Sequence, residues 1–154
     1  MRSVSKVRDV VKTIRGLVVG GVMLSVVLTM TACARPGPGD GLEAVTQSVR
    51  ESSSAVDEVF VEEGLDGFSR YLFVELGLTG ETLAVDALAD ALRAIGDTLP
   101  DGFESVRLVA RASSGDRLDL EEPLEVAGVD GVFMISPKTA NIPAEAVRNF
   151  AGER

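Results

Sequence analysis

The chain has 154 residues, of which 24 are acidic and 15 basic, with one cysteine and no histidine. These counts exclude an intrachain disulfide and remove both the general base of the common catalytic triads and the most frequent metal ligand. The charge is unevenly divided, since residues 1–32 carry a net +4 and residues 33–154 a net −13, and such an acidic body excludes an electrostatic surface for nucleic acid.

The first 32 residues have the features of a secretory signal peptide. Five basic residues and a single acid precede an apolar run over residues 17–30. This run has the length of a signal-peptide core and is shorter than the roughly 20 residues needed to span a bilayer. Small residues and the lone cysteine, Cys33, follow it. This order predicts a leader that is cleaved before Cys33.

The tetrad Met30-Thr31-Ala32-Cys33 resembles the lipobox of bacterial lipoproteins, with Met30 in the position where Leu is commonest. The resemblance implies that the lipoprotein signal peptidase recognises Met30, Thr31 and Ala32, that Cys33 receives a diacylglycerol, and that this lipid holds the mature protein at the extracytoplasmic face of the cell membrane. Two acyl chains suffice for stable attachment. Two other interpretations stay open: an uncleaved anchor that spans the bilayer with residues 16–32, and ordinary secretion with Cys33 as a free thiol.

The mature chain is predicted to consist of a short tether and one domain. Residues 33–41 combine the lipidated cysteine with a segment rich in Pro and Gly, which is typical of a flexible linker. Residues 42–154 form the extracytoplasmic domain. Its first element is an amphipathic helix that is expected to start near Asp40, since apolar residues recur at helical spacing over residues 42–55, and the serines at 52–54 mark its end.

A hairpin follows this helix. Two stretches with β-branched and aromatic residues, 56–63 and 68–78, flank a turn-forming tetrapeptide at residues 64–67. Side chains alternate between the two faces along a strand. The apolar even-numbered residues of the second strand are therefore predicted to face the core, with Tyr71 and Phe73 on the other side.

The second half of the domain is predicted to repeat this organisation. A helix is expected over residues 82–96, with Thr79 as its N-cap. A second hairpin is expected from strands at residues 103–112 and 117–120, joined by a turn at residues 113–116. The order α-β-β-α-β-β predicts an α+β fold, a two-layer sandwich in which a four-stranded, mostly antiparallel sheet carries two helices on one face. Short C-terminal elements complete it: a helical turn at 123–127, a strand at 132–135, a loop at 136–141 and a helix at 143–150.

Acidic residues cluster at residues 57–63 and at residues 116–122. Neither cluster has the ligand spacing of a calcium loop, and we interpret both as solvated faces, with a cation site as the alternative. The serines at 52–54 have no base to activate them. We therefore expect no metal site, no cofactor and no enzymatic activity.

One face of the predicted sheet has the composition of an interaction surface. Aromatic residues and arginines are enriched where proteins bind each other. The residues predicted to form this face are Tyr71, Phe73, Arg107, Val109 and Arg111. The alternative is that the tail folds over this face and makes it a second core.

These features predict a membrane-anchored lipoprotein whose domain binds an envelope protein or a cell-wall component without catalysing a reaction. The alternative is a carrier of a small ligand or lipid, which requires an enclosed cavity well above about 300 Å³ between the helices and the sheet. No nucleic-acid partner is expected.

Overall fold

Four helices and five strands are formed by residues 38–153, the part of the chain that the computed structural model describes. The predicted leader and the tetrad that ends at Cys33 lie outside these residues, so the lipidation of Cys33 stays a prediction. In chain order the elements are α1 (Pro38–Ser52), β1 (Val56–Asp66), β2 (Ser69–Leu78), α2 (Val85–Thr98), β3 (Ser105–Arg111), α3 (Glu121–Ala127), β4 (Phe133–Ser136), β5 (Thr139–Pro143) and α4 (Ala144–Gly152).

The five strands form one mixed sheet in the order β1-β2-β3-β5-β4. β2 and β3 run parallel, and the other three neighbouring pairs are antiparallel. A parallel pair cannot be joined by a tight turn, and here α2 makes the crossover from β2 to β3. The α+β class is confirmed, whereas the prediction of four strands and two helices is wrong.

The first hairpin is confirmed, but its turn is shorter than predicted. β1 and β2 stay paired as far as Asp66 and Ser69, so that only Gly67 and Phe68 form the turn. Gly67 has a φ of +64°, a left-handed conformation that tight hairpin turns require and that glycine adopts without steric cost. The placement of the turn at residues 64–67 is wrong because the ladder extends three residues further along β1.

The predicted helix after the hairpin is confirmed, but it begins later than expected. The Thr79 N–H donates to the Ala55 carbonyl at 3.0 Å, which continues the contact between the two ends of the hairpin. The predicted role of Thr79 as N-cap is therefore wrong. The N-cap of α2 is Ala84, which makes no side-chain capping bond.

The first helix, in contrast, begins earlier than expected. α1 starts at Pro38, so that residues 38–41 of the predicted tether are helical.

The predicted second hairpin forms its turn but not its second strand. The Ala112 N–H donates to the Asp116 carbonyl at 2.9 Å, and the pairing beyond it consists of a single bridge between Arg111 and Arg117. β5 pairs with the preceding part of β3 on this edge. The repeat of organisation is therefore wrong, because β3 completes its pairing with a strand from the tail and not with residues 117–120.

The tail supplies the two remaining strands of the sheet. The predicted strand at 132–135 and the two helical segments are confirmed as β4, α3 and α4. The predicted loop over residues 136–141 is wrong, since β5 begins at Thr139 and buries Ala140 and Ile142 completely. Two apolar residues among polar ones are too weak an alternation to predict a strand.

The core lies between the helices and the even-numbered residues of β2 and β3. Leu72, Val74 and Leu76 are fully buried, which confirms the predicted orientation of β2. Each of the four described helices contributes to the same cluster. These contributions are Val45 and Val49 of α1, Leu88, Leu92 and Ile95 of α2, Leu124 of α3, and Val147 and Phe150 of α4. Residues 129–150 thus extend the sheet and the helical layer, and they do not form a second core over the other face.

Candidate binding face

The side of the sheet opposite the core is called the open face here. Residues directly paired across neighbouring strands point to the same face of a sheet. One such row crosses all five strands and consists of Glu62, Phe73, Arg107, Asn141 and Phe133. The described helices bury their apolar residues on the other side of the sheet, so this row is exposed to solvent or half-buried.

The residues that the sequence predicts for this face lie together on it. Tyr71 and Phe73 of β2 neighbour Arg107 of β3, and Arg111 lies two register positions beyond Val109. The guanidinium carbon of Arg107 lies 3.9 Å from the centroid of the Tyr71 ring. Such stacking leaves one side of the planar guanidinium group available to a partner and fixes its orientation.

Val109 differs from the other predicted residues because it is only 1% exposed. It lies on the central strand β3, with Arg107 and Arg111 two residues away on the same face. Val109 therefore lies on the predicted face, but its buried side chain offers no exposed contact to a partner.

Phe60 and Phe133 extend the open face beyond the predicted residues. They are 52% and 66% exposed, and the Phe60 ring meets the Phe73 ring edge to face at 6.2 Å between centroids. The position of Phe60 follows from the predicted hairpin, because the observed and the predicted registers both pair it with an odd-numbered residue of β2. Phe133 could not be placed in the same way, since its face depends on pairing with β5, which was predicted to be a loop.

Ion pairs fix the arginines of the open face. Arg107 lies 3.2 Å from Asp66, and Arg111 lies 2.6 Å from Glu75. The hydrogen bond to Glu75 raises the pKa of Arg111, whose guanidinium is charged at any ordinary pH. Because the pairs are partly exposed to water, they orient the side chains more than they stabilise the fold.

Two polar atoms of the open face are buried and have no hydrogen-bond partner among the described residues. They are Nε of Arg107 and Oδ1 of Asn141, which belong to directly paired residues of β3 and β5. A buried donor or acceptor without a partner costs free energy. The first of these atoms is a donor and the second an acceptor.

Two cavities border the open face at its opposite ends. One, of about 330 Å³, is lined by Asp66, Tyr71, Arg107 and Asn141 among others. The other, of about 580 Å³, is lined by Phe60, Glu75 and Arg111 together with the loop after β3. The open face thus presents exposed aromatic rings between two polar recesses.

The first acidic cluster, at residues 57–63, contributes Glu62 to this face. Among residues 38–153, no group of three or more acidic side chains is arranged to hold a metal ion. In the same part of the chain, no helix combines the length and the hydropathy needed to cross a bilayer.

Comparison of the chain with protein-family models, with curated proteins and with solved structures finds no match.

Proposed function

We propose that the protein is a membrane-anchored extracytoplasmic lipoprotein whose folded domain is a non-enzymatic binding or adaptor domain of the cell envelope. The anchor is the lipid on Cys33, supported by the order of basic, apolar and small residues before this cysteine. The binding surface is the open face, and its partner is an envelope protein or a cell-wall component.

The observation that carries the binding role is the composition of the open face. It combines the exposed rings of Phe60 and Phe133 with the oriented guanidinium of Arg107, and aromatic residues and arginines dominate the energetics of protein interfaces. Adjacent to them lie the unpartnered donor of Arg107 and acceptor of Asn141.

The alternative role as a carrier has less support. It requires a cavity between the helices and the sheet, but Leu72, Leu76, Leu88 and Leu92 fill that space and are fully buried. The cavities of about 330 and 580 Å³ are lined by residues of the open face and of the loops at its ends.

The binding role is tested by replacing the exposed rings of the open face. Phe60→Ser with Phe133→Ser should abolish capture of the partner by crosslinking in the native membrane. The matched control is Val126→Ser, which removes a side chain of similar exposure, 64%, from α3. We expect the control to retain the partner and both proteins to keep their melting temperatures within a few degrees, because exposed apolar side chains contribute little to stability.

The anchor is tested separately with Cys33→Ala. This variant should lose the membrane-bound mature form, whereas the ring variants keep it. Retention of the mature form by Cys33→Ala would contradict the lipid anchor, and capture of the same partner by the Phe60→Ser, Phe133→Ser variant would contradict the binding face.

A further inference from the structure

The tip of the first hairpin carries two exposed apolar side chains. Phe68, in the turn, is 104% exposed, and Leu65 is 67% exposed. Tight turns normally contain small or polar residues. Because the Phe68 side chain is fully exposed, it makes no contact that stabilises the fold. An exposed aromatic ring of this kind is favourable only if an apolar environment outside the domain receives it.

The hairpin tip lies at the same end of the domain as the start of α1. A Cβ atom on Gly41 would lie 2.8 Å from Cγ of Pro100, so the first turn of α1 contacts the loop after α2. That loop contacts the tip end of the hairpin, since the Glu104 N–H donates to the Arg70 carbonyl at 2.8 Å and the Ser69 hydroxyl donates to the Glu104 carboxylate at 2.9 Å.

The chain that leads from this end to the predicted lipid is short. Four residues separate Cys33 from Pro38, where α1 begins. Fully extended, the Cα atoms of Cys33 and Pro38 are at most about 18 Å apart. A lipid on Cys33 therefore holds the end of the domain with the hairpin tip close to the bilayer surface.

Two carboxylates near the tip are paired with arginines. Glu63 makes two hydrogen bonds of 2.8 Å with Arg70, and Asp66 lies 3.2 Å from Arg107. The hydrogen bonds with Arg70 also lower the pKa of Glu63. Paired carboxylates oppose the approach to lipid headgroups less than unpaired ones, although the domain as a whole is acidic.

We propose that Phe68 and Leu65 insert into the interface of the bilayer that anchors the protein. The hairpin is then a second contact with the membrane, which fixes the orientation of the domain and points its open face sideways along the membrane surface. Apolar and aromatic side chains at the headgroup level are a recurrent means of attachment for interfacial proteins. This inference rests on the proposed lipid anchor and adds an orientation to it.

The absence of tryptophan from the sequence provides a direct test. The full chain, lipidated in a bacterial host, is reconstituted into phosphatidylcholine vesicles with and without brominated acyl chains, and flotation establishes that it is anchored. Phe68→Trp introduces one indole at the tip. The matched control, Phe60→Trp, places the indole on the same hairpin but about 20 Å away from the tip, six residues before Asp66.

We expect brominated lipid to quench Phe68→Trp several-fold more strongly than Phe60→Trp, with an emission maximum at shorter wavelength. Equal and weak quenching of the two floated variants would overturn the insertion while the anchor stands. Strong quenching of both would show that the open face lies flat on the bilayer and would also overturn it. Failure of the wild-type chain to float would overturn the anchor and, with it, this inference.

Discussion

α2 and α4 lie close together at Gly96, and Gly96→Ala tests the packing of the helical layer. A Cβ atom at this position would lie 2.4 Å from the carbonyl oxygen of Val147 and 2.7 Å from Cβ of Ala151. Both distances are well below van der Waals contact, and the first involves the backbone of α4. The substitution therefore forces the two helices apart.

Two effects of opposite sign determine the size of the change. Alanine in place of glycine inside a helix stabilises by about 1 kcal/mol. Overpacking of a well-packed core costs about 1–3 kcal/mol, and the upper part of this range applies because a backbone carbonyl cannot rotate away like a side chain. We expect a net destabilisation of about 1–2 kcal/mol, or a decrease in melting temperature of roughly 4–8 °C for a domain of this size.

Urea unfolding of residues 34–154 measures this free energy. The control is Gly152→Ala, at the end of α4, where an added Cβ atom meets nothing within 4 Å and stability should stay the same or increase slightly. If Gly96→Ala were as stable as the wild type, the close packing of α2 against α4 would be refuted, and with it the assignment of α4 to the core side of the sheet.

Two further predictions concern the turns. Gly67→Ala should destabilise the fold by roughly 1 kcal/mol because a side chain in the left-handed region is strained, although the added Cβ atom meets nothing within 4 Å. The control is Gly80→Ala, where the space is equally open but φ is not positive, and it should be neutral in the same unfolding assay. Equal effects of the two variants would contradict the turn geometry. Glu81 accepts hydrogen bonds from Ser113 and Ser114 that lower its pKa. A lowered pKa stabilises the fold above the ordinary carboxyl pKa, and this contribution is lost as the pH falls through the lowered value. Glu81→Gln should therefore be less stable than the wild type at neutral pH and equal to it in acid, and a difference that is constant with pH would contradict the interaction.

The location of the candidate face was predictable because it depends on alternation along single strands. Leu72 and Val74 on one side and Tyr71 and Phe73 on the other follow from the period of two in β2. The exposure of each residue was not predictable in this way. Val109 has the same parity as Arg107 and is nevertheless buried on the central strand β3.

The sequence by itself determined the features that arise from neighbours along the chain: the α+β class, the first hairpin, the helical segments and the orientation of β2. Only the tertiary structure decided which strand occupies the second edge of β3. Residues 117–120 and the tail both follow β3, and the choice between them depends on the total apolar area that distant segments bury together. Ala140 and Ile142 of β5 complete the core, so that the tail enters the sheet and leaves the open face uncovered.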